Sequence, residues 1–393
     1  MPWKVSDPVS ERMLFITRHQ AGERMTDLCR QFGISRKTGY KLLERFEHLG
    51  VAGLEDLPRT PHRLAKAKAT VVRELFIEAR KAHPTWGARK LLSLLQREQP
   101  GVALPAASTV SEWLERAGLV KKRRRKLRVS PMGDGLTAAH QPNDVWCVDY
   151  KGQFRLGNGA YCYPLTVTDQ FSRYILACEG YERISGSDAR FVFEKLFETQ
   201  GLPTTIRSDN GSPFATRGLL GLSRLAVWWL KLGIRPERIE PGHPEQNGRH
   251  ERMHRTLKAE TTRPAGNTLL QQQERFDAFV DEFNQVRPHE ALEQKRPCDV
   301  YTPSQRAFQH APDLSYPFHD EVIEVETSGH ARVLRRRGAK FYVSSALVGE
   351  RLGARELDDG KFLLTFANID LGVLDPTTNH FQATDLENER EAA

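Results

Sequence analysis

Cysteine is scarce in this chain, which has only five cysteines in 393 residues and no CxxC pair. This scarcity argues against a disulfide framework and against a cysteine-ligated zinc site, and it suits a reducing cytoplasm. Long apolar runs are also missing, since no stretch approaches the roughly 18 residues that a membrane-spanning helix needs. The first residues, Met1-Pro2-Trp3-Lys4, form no apolar signal core. We therefore expect neither secretion nor a membrane partner.

Acidic residues are sparse in the first 140 positions, which hold 14 Asp and Glu against 27 Lys and Arg. The remaining positions hold 36 acidic and 31 basic residues, so the formal net charge of +8 conceals two unlike parts. A basic front part joined to a slightly acidic remainder predicts that the front part binds a polyanion such as DNA. Ordinary surface charge is the alternative interpretation.

The segment 25–50 has the pattern of two helices joined by a tight turn. Apolar residues recur at helical spacing on both sides of Gly33, and Ser35 stands where its side chain can cap the second helix. This pattern predicts a helix-turn-helix DNA-binding domain over residues 1–60, against the alternative of a plain helical hairpin with a solvated basic face. The residues that would reach DNA from the second helix are Arg36, Lys37 and Lys41.

Residues 61–120 predict a second helix-turn-helix domain. Apolar residues follow helical spacing around a break at Pro84–Gly87, and a third helix follows with Ser108 as its predicted cap. A predicted linker, 121–140, contains the run KKRRRKLR, in which seven of eight side chains are basic. Blocks of like charge typically act as arms that bind nucleic acid. The predicted DNA contacts in this arm are Lys121, Lys122, Arg123, Arg124 and Arg125.

The character of the sequence changes from helical to β-rich after Pro142. Three strand-like segments come first, VWCVDYKGQFRL, AYCYPLTVTDQ and YILACEGY, and a helix and the strand TTIRSD follow them. The order β-β-β-α-β-α predicts a mixed sheet covered by helices, an α/β architecture, over residues 141–305. A second β-rich stretch predicts a small barrel-like or sandwich domain over residues 316–383.

Two aspartates occupy positions that packing does not explain. Asp149 interrupts an apolar strand, where an unpaired carboxylate is costly to bury. Asp209 ends another strand and is followed by the turn pair Asn210-Gly211. If the two strands are neighbours, the carboxylates converge and require a cation between them. Carboxylate oxygens are hard ligands, and hard ligands prefer Mg²⁺ or Mn²⁺ to Zn²⁺. We therefore predict Mg²⁺ or Mn²⁺ at this site.

A third carboxylate has two candidates in the string PGHPEQNGRHERMHRTLKAE. Glu245 lies in a turn, whereas Glu251 lies on the helix that begins near Asn247. Asn247 is predicted to cap this helix, and contact with DNA is the alternative. A carboxylate on a rigid element is better organised than one in a loop, which favours Glu251. The cations that share its helix face and can hold a phosphate are Arg255 and Lys258.

The same string contains a competing motif, because residues 250–254 spell HExxH. On a helix this motif places two histidines on one face as zinc ligands, with the glutamate as general base of a hydrolase. Its strongly basic surroundings disfavour a zinc cation, and the motif leaves Asp149, Asp209 and the basic front part unexplained. We retain the zinc hydrolase as the weaker alternative.

The three acidic segments together resemble the motifs of retroviral-integrase-type (DDE) transposases. The segments are PNDVWCVDYKG, SDNGSPF and HPEQNGRHERMHRTLK, and NQVRPHEALEQKRPCDVY at 284–301 is similar to the end of that family's catalytic core. The likeness is strongest to bacterial insertion-sequence transposases with N-terminal helix-turn-helix domains. It implies an RNase H-like core with a mixed five-stranded sheet, and it places the family's glutamate on Glu251. The longer interval after Asp209 implies an insertion around Gly218–Gly233.

The resemblance implies an enzyme that hydrolyses DNA phosphodiesters and transfers strands at insertion-sequence ends. Asp149, Asp209 and Glu251 would hold two divalent ions. The expected partners are double-stranded DNA, as terminal inverted repeats and target, and further copies of the chain on that DNA. The expected location is the bacterial cytoplasm, at the nucleoid. The alternative from another class is a DNA-binding regulator whose integrase-like core is inactive.

Overall fold

The computed structural model describes residues 8–56, 70–120, 135–150, 152–240, 243–333 and 340–384. The chain divides into two compact units, Met1–Thr70 and Val71–Ala393. Across the described ranges, no helix has both the length and the apolar character that a membrane crossing requires.

Three helices and a 3₁₀ turn form the first unit. They are α1 (Pro8–Gln20), α2 (Met25–Gln31), α3 (Arg36–Leu49) and the turn Gly50–Leu54. Ser35 accepts a hydrogen bond from the Thr38 backbone N–H, which confirms it as the α3 cap. Gly39 lets α3 approach α2 closely, because a Cβ there would lie 2.8 Å from the sulfurs of Met25 and Cys29. The core consists of Phe15, Ile16, Leu28, Leu42 and Leu54 with their neighbours.

Three further helices begin the second unit. They are α4 (Thr70–Ala82), α5 (Ala88–Glu98) and α6 (Ala107–Arg116). Fully buried Phe76, Trp86 and Leu91 pack between them. The predicted Ser108 cap is wrong, because α6 starts at Ala107 and Ser108 is already its second residue.

A mixed sheet forms the centre of the second unit, as the sequence predicts. Its strands are β1 (Val145–Tyr150), β2 (Phe154–Arg155), β3 (Tyr161–Asp169), β4 (Ile175–Tyr181), β5 (Thr205–Ser208) and β6 (Arg235–Arg238). The order is β4-β3-β1-β5-β6, and short β2 pairs with the start of β3. Strands β1, β3 and β4 pair antiparallel, whereas β1, β5 and β6 pair in parallel. Neither β6 nor the separation of β2 from β1 was predicted.

One face of this sheet is apolar and carries two helices, α7 (Gly186–Gln200) and α8 (Arg224–Lys231). Because side chains alternate along a strand, Trp146, Val148 and Val167 share this face. Phe193 of α7 is fully buried there, and its ring centroid lies 5.0 Å from that of Trp229 on α8. Helix α8 lies within the predicted insertion, so the extra residues after Asp209 form part of the core.

The opposite face is covered by α9 (Gly248–Thr261) and α10 (Leu269–Asp281). Their apolar contact with the sheet is a small cluster at the β3–β4 side that contains Cys162, Cys178, Met253, Leu257 and Phe276. Towards β1 and β5 the cluster stops, and polar side chains take its place.

The turn between α4 and α5 packs against the ends of α9 and α10. His83 Nδ1 lies 2.8 Å from Glu282 Oε1, and the Thr85 hydroxyl donates to Glu260 near the end of α9. Arg287 binds the same Glu260 carboxylate at 3.0 Å and lies over the buried Trp86 ring. The turn between α4 and α5 therefore fixes the C-terminal end of α9, the helix that carries Glu251.

The C-terminal part is β-rich, as the sequence predicts. Its strands are β7 (Glu321–Glu324), β8 (His330–Ala331), β9 (Phe341–Tyr342), β10 (Arg351–Glu356), β11 (Phe362–Phe366), β12 (Ile369–Asp375) and β13 (His380–Ala383). Five of them form an antiparallel sheet in the order β13-β12-β11-β10-β7, and β8 pairs with β9. Lys231 at the end of α8 binds Glu350 at 2.8 Å, which ties this sheet to the core.

Candidate active site

The polar face of the central sheet gathers side chains from β1, β3, β5 and β6. Cys147 pairs with Thr168 and Asp149 with Thr166 across β1 and β3, so these four side chains leave the same face. Arg207 pairs with Cys147 across β1 and β5, and with Glu237 across β5 and β6. The alternation that gives the other face its apolar core thus directs polar residues to this one. They are Cys147, Asp149, Thr166, Thr168, Arg207 and Glu237.

The two predicted aspartates lie at the same end of neighbouring parallel strands. Asp149 and Asp209 each stand two residues beyond the paired residues Cys147 and Arg207, Asp149 inside β1 and Asp209 directly after β5. Adjacent strands run about 4.8 Å apart, which brings the two Cα positions close together. The Asp149 side chain is 24% exposed, so it is accessible to a ligand.

The turn after β5 fixes the Asp209 carboxylate. Asp209 Oδ1 accepts a hydrogen bond of 3.0 Å from the Gly211 backbone N–H. A Cβ at Gly211 would lie 3.0 Å from Asp209 Oδ2, so a larger residue would crowd this carboxylate. Asn210 donates to the Ile239 carbonyl oxygen at 2.7 Å and so joins this turn to the end of β6.

Helix α9 contacts the polar face through two buried histidines that the sequence analysis assigned only to the zinc alternative. His250 Nδ1 lies 2.7 Å from Thr168 Oγ1, and His250 Nε2 lies 2.8 Å from Thr166 Oγ1. His254 Nε2 lies 2.6 Å from the same Thr166 oxygen, and its Nδ1 lies 3.5 Å from Asp149 Oδ2. The helix is thereby held directly over the first aspartate.

Glu251 lies on the exposed side of α9, one turn before His254. At 100° per residue, Glu251 is about 200° around the helix from Arg249. Arg249 donates to the Gln170 carbonyl oxygen at 3.4 Å, in the turn between β3 and β4. Glu251 therefore leaves α9 on the side opposite to Arg249 and is exposed. Arg255 and Lys258 are exposed on the same flank.

The rival glutamate, Glu245, lies in a 3₁₀ turn at Pro244–Asn247 that precedes α9. Asn247 immediately precedes α9, but its side chain makes no capping hydrogen bond. Asn247 therefore holds the predicted N-cap position, but the predicted side-chain cap is wrong. The Asn247 Oδ1 atom is buried and has no hydrogen-bond partner in the described part of the chain.

The carboxylates do not yet form a complete ligand set. Among the described residues, no group of three or more His, Cys, Asp and Glu side chains is arranged to hold one metal ion. Asp149 and Asp209 nevertheless supply the oxygen donors that Mg²⁺ and Mn²⁺ prefer. Both histidines of the HExxH string contact threonine hydroxyls through their ring nitrogens.

An ion pair closes the polar face next to Asp209. Arg207 Nε binds Glu237 Oε2 at 2.6 Å, and both side chains are less than 10% exposed. Glu237 Oε1 accepts hydrogen bonds from the backbone N–H and hydroxyl of Thr137, at 2.7 and 2.8 Å. The segment that leads from the basic arm into β1 is thus fixed to β5 and β6, two residues from Asp209.

Basic side chains cluster at the other flank of α9. Arg173 donates to the Gln170 carbonyl oxygen at 2.9 Å, the oxygen that Arg249 also approaches. Burial, together with the nearby Arg249 and Arg252 charges, lowers the pKa of the Arg173 guanidinium to about 10. Guanidinium groups held close together favour an anion such as phosphate.

The predicted DNA contacts lie in three places. The first set lies exposed along α3 in the first unit, and the second lies on α9 beside Glu251. The five residues of the basic arm lie outside the described residues. The set on α3 is Arg36, Lys37 and Lys41, and the set on α9 is Arg255 and Lys258. The set in the basic arm is Lys121, Lys122, Arg123, Arg124 and Arg125.

Comparison with known families finds four matches along the chain. Two family models described as integrase core domain match residues 139–244 and 232–297, and these spans contain Asp149, Asp209 and Glu251. A helix-turn-helix domain model matches residues 11–62, and a homeodomain-like domain model matches residues 38–114.

The chain is similar to proteins of two bacterial insertion elements. It is 30% identical over 219 residues to the 39.2 kDa protein of IS476 from Xanthomonas euvesicatoria, covering 54% of this chain and 60% of that protein. It is 27% identical over 229 residues to the 31.7 kDa protein of IS407 from Burkholderia multivorans, covering 58% and 79%.

One solved structure with a partial likeness is the HTLV-2 integrase catalytic core domain in complex with magnesium. It has 15% identity and a TM-score of 0.34, and the alignment covers 42% of this chain and all of that one.

Proposed function

Because the chain contains an integrase core domain and N-terminal helix-turn-helix domains and is homologous to proteins of IS476 and IS407, we propose that it is a DNA transposase. It hydrolyses a phosphodiester bond at each end of an insertion element and joins the resulting 3′-hydroxyl to target DNA. The observation that carries this proposal is the parallel pairing of β1 and β5, which brings Asp149 and Asp209 to one edge of the sheet.

The proposed metal ligands are Asp149, Asp209 and Glu251. The fit rests on donor chemistry, because two carboxylates stand at the same end of adjacent strands while the nearby histidines engage threonine hydroxyls. Two Mg²⁺ or Mn²⁺ ions bound there would supply Lewis-acid activation of the attacking oxygen and charge stabilisation of the leaving oxygen. Glu251, exposed on α9, would complete the set when DNA and metal are present.

The remaining task of the chain is to place DNA at this edge. Arg255 and Lys258 extend the flank that carries Glu251, where their charges hold backbone phosphates beside the scissile bond. Arg36, Lys37 and Lys41 enter a major groove from α3 and recognise the element ends. Two ends and a target must meet in one reaction, so several copies of the chain act together on the DNA.

A test of this proposal is cleavage of a supercoiled plasmid that carries the gene with its native flanking DNA. With Mg²⁺ present, the protein should nick the flanks, and the Asp209→Asn variant should be slower by at least about 100-fold. A loss of this size corresponds to removal of one electrostatic contact with the transition state. The matched control is Asp281→Asn, because Asp281 is an exposed aspartate at the end of α10, outside the candidate site.

The alternative regulator makes the opposite prediction for this experiment. A protein with an inactive core that only binds DNA would retard the plasmid fragments on a gel and leave the flanks uncut. The Asp209→Asn and Asp281→Asn variants would then give the same result. Cleavage at wild-type rate by Asp209→Asn would exclude Asp209 from the site. Cleavage sustained by zinc alone, with Mg²⁺ absent, would favour the HExxH hydrolase.

A further inference from the structure

Two histidines of α9 and two threonines of β3 form a continuous path of polar side chains that ends at Asp149. The path runs from Thr168 to His250, then to Thr166 and His254, with contacts of 2.7, 2.8 and 2.6 Å. It ends where His254 Nδ1 lies 3.5 Å from Asp149 Oδ2. Both histidines are 2% exposed, and their rings meet edge to face with centroids 4.5 Å apart.

The Asp149 carboxylate at the end of the path sets the direction of its three hydrogen bonds. A carboxylate only accepts, so the His254 nitrogen that faces it must carry the proton. In a neutral imidazole, His254 Nε2 is then an acceptor and takes the Thr166 hydroxyl proton, at 2.6 Å. This contact is shorter than the alternative one from the same hydroxyl to the Asp149 backbone oxygen, at 3.2 Å.

The remaining two contacts follow from the single proton on each hydroxyl. Thr166 has already donated its proton, so it accepts from His250 Nε2–H. His250 Nδ1 is then an acceptor and receives the Thr168 hydroxyl proton, at 2.7 Å. Every donor in the path meets one acceptor, and neither histidine needs to be charged. The opposite direction would place two lone pairs face to face at Asp149.

We propose that His254 is a positioning residue that orients the Asp149 carboxylate through its Nδ1–H. The second histidine and the two threonines fix its tautomer and ring plane. A carboxylate is planar, so an ion-pair contact at Oδ2 also restricts the direction of Oδ1. The inference rests on the proposed function in one respect, since Asp149 is taken there as a metal ligand. It assigns the HExxH string a role in carboxylate positioning instead of zinc binding.

The location of the path supports a role beyond packing. Elsewhere beneath α9 and α10 the contact with the sheet combines apolar groups such as Met253, Leu257 and Phe276 with one amide side chain, Gln273, which bonds the β4 backbone. Buried polar groups stabilise a fold less efficiently than apolar ones and leave a penalty when a partner is lost. Here they occupy the part of the interface that touches Asp149. Partners of this kind commonly set the orientation of a ligating carboxylate or imidazole.

The first test is the tautomer of His254, read by NMR of the full-length protein with ¹⁵N-labelled histidine and no added metal. Measurement at pH 8 is above the usual histidine pKa of about 6.5. We expect a proton on His254 Nδ1, whereas His250 carries its proton on Nε2. Signals are assigned with the His250→Gln and His254→Asn variants. A His254 ring without a proton on Nδ1 would overturn the proposal.

The second test compares two amides at position 254. Asparagine places its N–H₂ near the position of Nδ1, and glutamine places it near Nε2. We expect His254→Gln to weaken Mn²⁺ binding by about 10- to 100-fold, the range for lost partners of metal ligands, and His254→Asn to retain most of it. Mn²⁺ binding is measured by calorimetry without DNA, and thermal unfolding checks that both variants fold.

The outcomes separate this inference from the proposed function. Equal Mn²⁺ affinity in both amide variants would show that position 254 does not orient Asp149. Loss of folding in both variants leaves the tautomer measurement on the wild-type chain to decide. A protein that has the expected tautomer but never cuts DNA would retain the positioning role and refute the transposase.

Discussion

The two faces of the central sheet are built from the same strands but have opposite chemistry. On one face, Trp146, Val148 and Ile206 pack against α7 and α8 in a continuous apolar core. On the other, Asp149, Thr166 and Thr168 contact the histidines of α9, and Arg207 shares the face. Burial of apolar area stabilises the fold, whereas buried polar groups cost free energy unless they are paired. The first face thus supplies stability that allows the second to hold chemically useful groups.

Pairing lowers the free-energy cost of burying the polar groups on the second face. Arg207 is bound by Glu237, and the threonine hydroxyls bind the histidines of α9. A fully paired network is rigid, which suits groups that must be held in one geometry. If this contrast is correct, substitutions on the apolar face should change the free energy of unfolding. Substitutions of the carboxylates at the edge of the polar face should change chemistry with little effect on stability.

The largest expected effect is on the apolar face, at Phe193. Phe193→Ala should lower the free energy of unfolding by about 3–5 kcal/mol, because it removes a fully buried ring and leaves a cavity. Urea unfolding measures this change. The matched control is Phe191→Ala on the same helix, since Phe191 is 55% exposed and should cost less than about 1 kcal/mol. Equal losses at both positions would mean that the apolar face does not carry the stability.

The next effect is on the polar side and concerns activity alone. Glu251→Gln should slow Mg²⁺-dependent plasmid cleavage by at least about 100-fold, or about 2.7 kcal/mol, and leave urea unfolding unchanged. Glu245→Gln is the matched comparison, because both glutamates are six residues apart in the same segment. Loss of cleavage only in Glu245→Gln would transfer the third carboxylate to the turn before α9. A large stability loss in Glu251→Gln would break the separation between the faces.

Local signals in the sequence predicted helices and most strands, but they predicted helix starts unevenly. Ser35 caps α3 because the turn after Gly33 is complete before the helix begins. Ser108 does not cap α6, since that helix starts earlier in a run of small residues that provides no marker of its first residue. A serine near a helix start therefore locates the helix but not its first turn.

The features that sequence analysis missed depend on partners far away in the chain. Strand β6, Arg235–Arg238, lacks the β-branched and aromatic residues typical of strands, and it exists because its backbone pairs with β5 and Glu237 meets Arg207. His250 and His254 fit a metal motif when only their spacing is considered. Their threonine partners lie more than 80 positions earlier, and only the folded sheet brings them together.

The smallest expected effect concerns charge on the two sides of the sheet. Arg249 lies with Arg173 at the turn between β3 and β4, on the side of the sheet that α9 covers, whereas exposed Arg224 begins α8 on the apolar side. If DNA binds the α9 side, Arg249→Ala should weaken binding by about 1 kcal/mol and reduce the slope of log affinity against log salt by about 0.9, the value for one lost phosphate contact. Arg224→Ala removes the same charge and should leave both quantities unchanged. Fluorescence anisotropy with a labelled duplex from the native flank, repeated at several salt concentrations, measures both. Identical slopes for the two variants would show that DNA binding does not distinguish the faces, and that the arginines at the β3–β4 turn do not hold a phosphate.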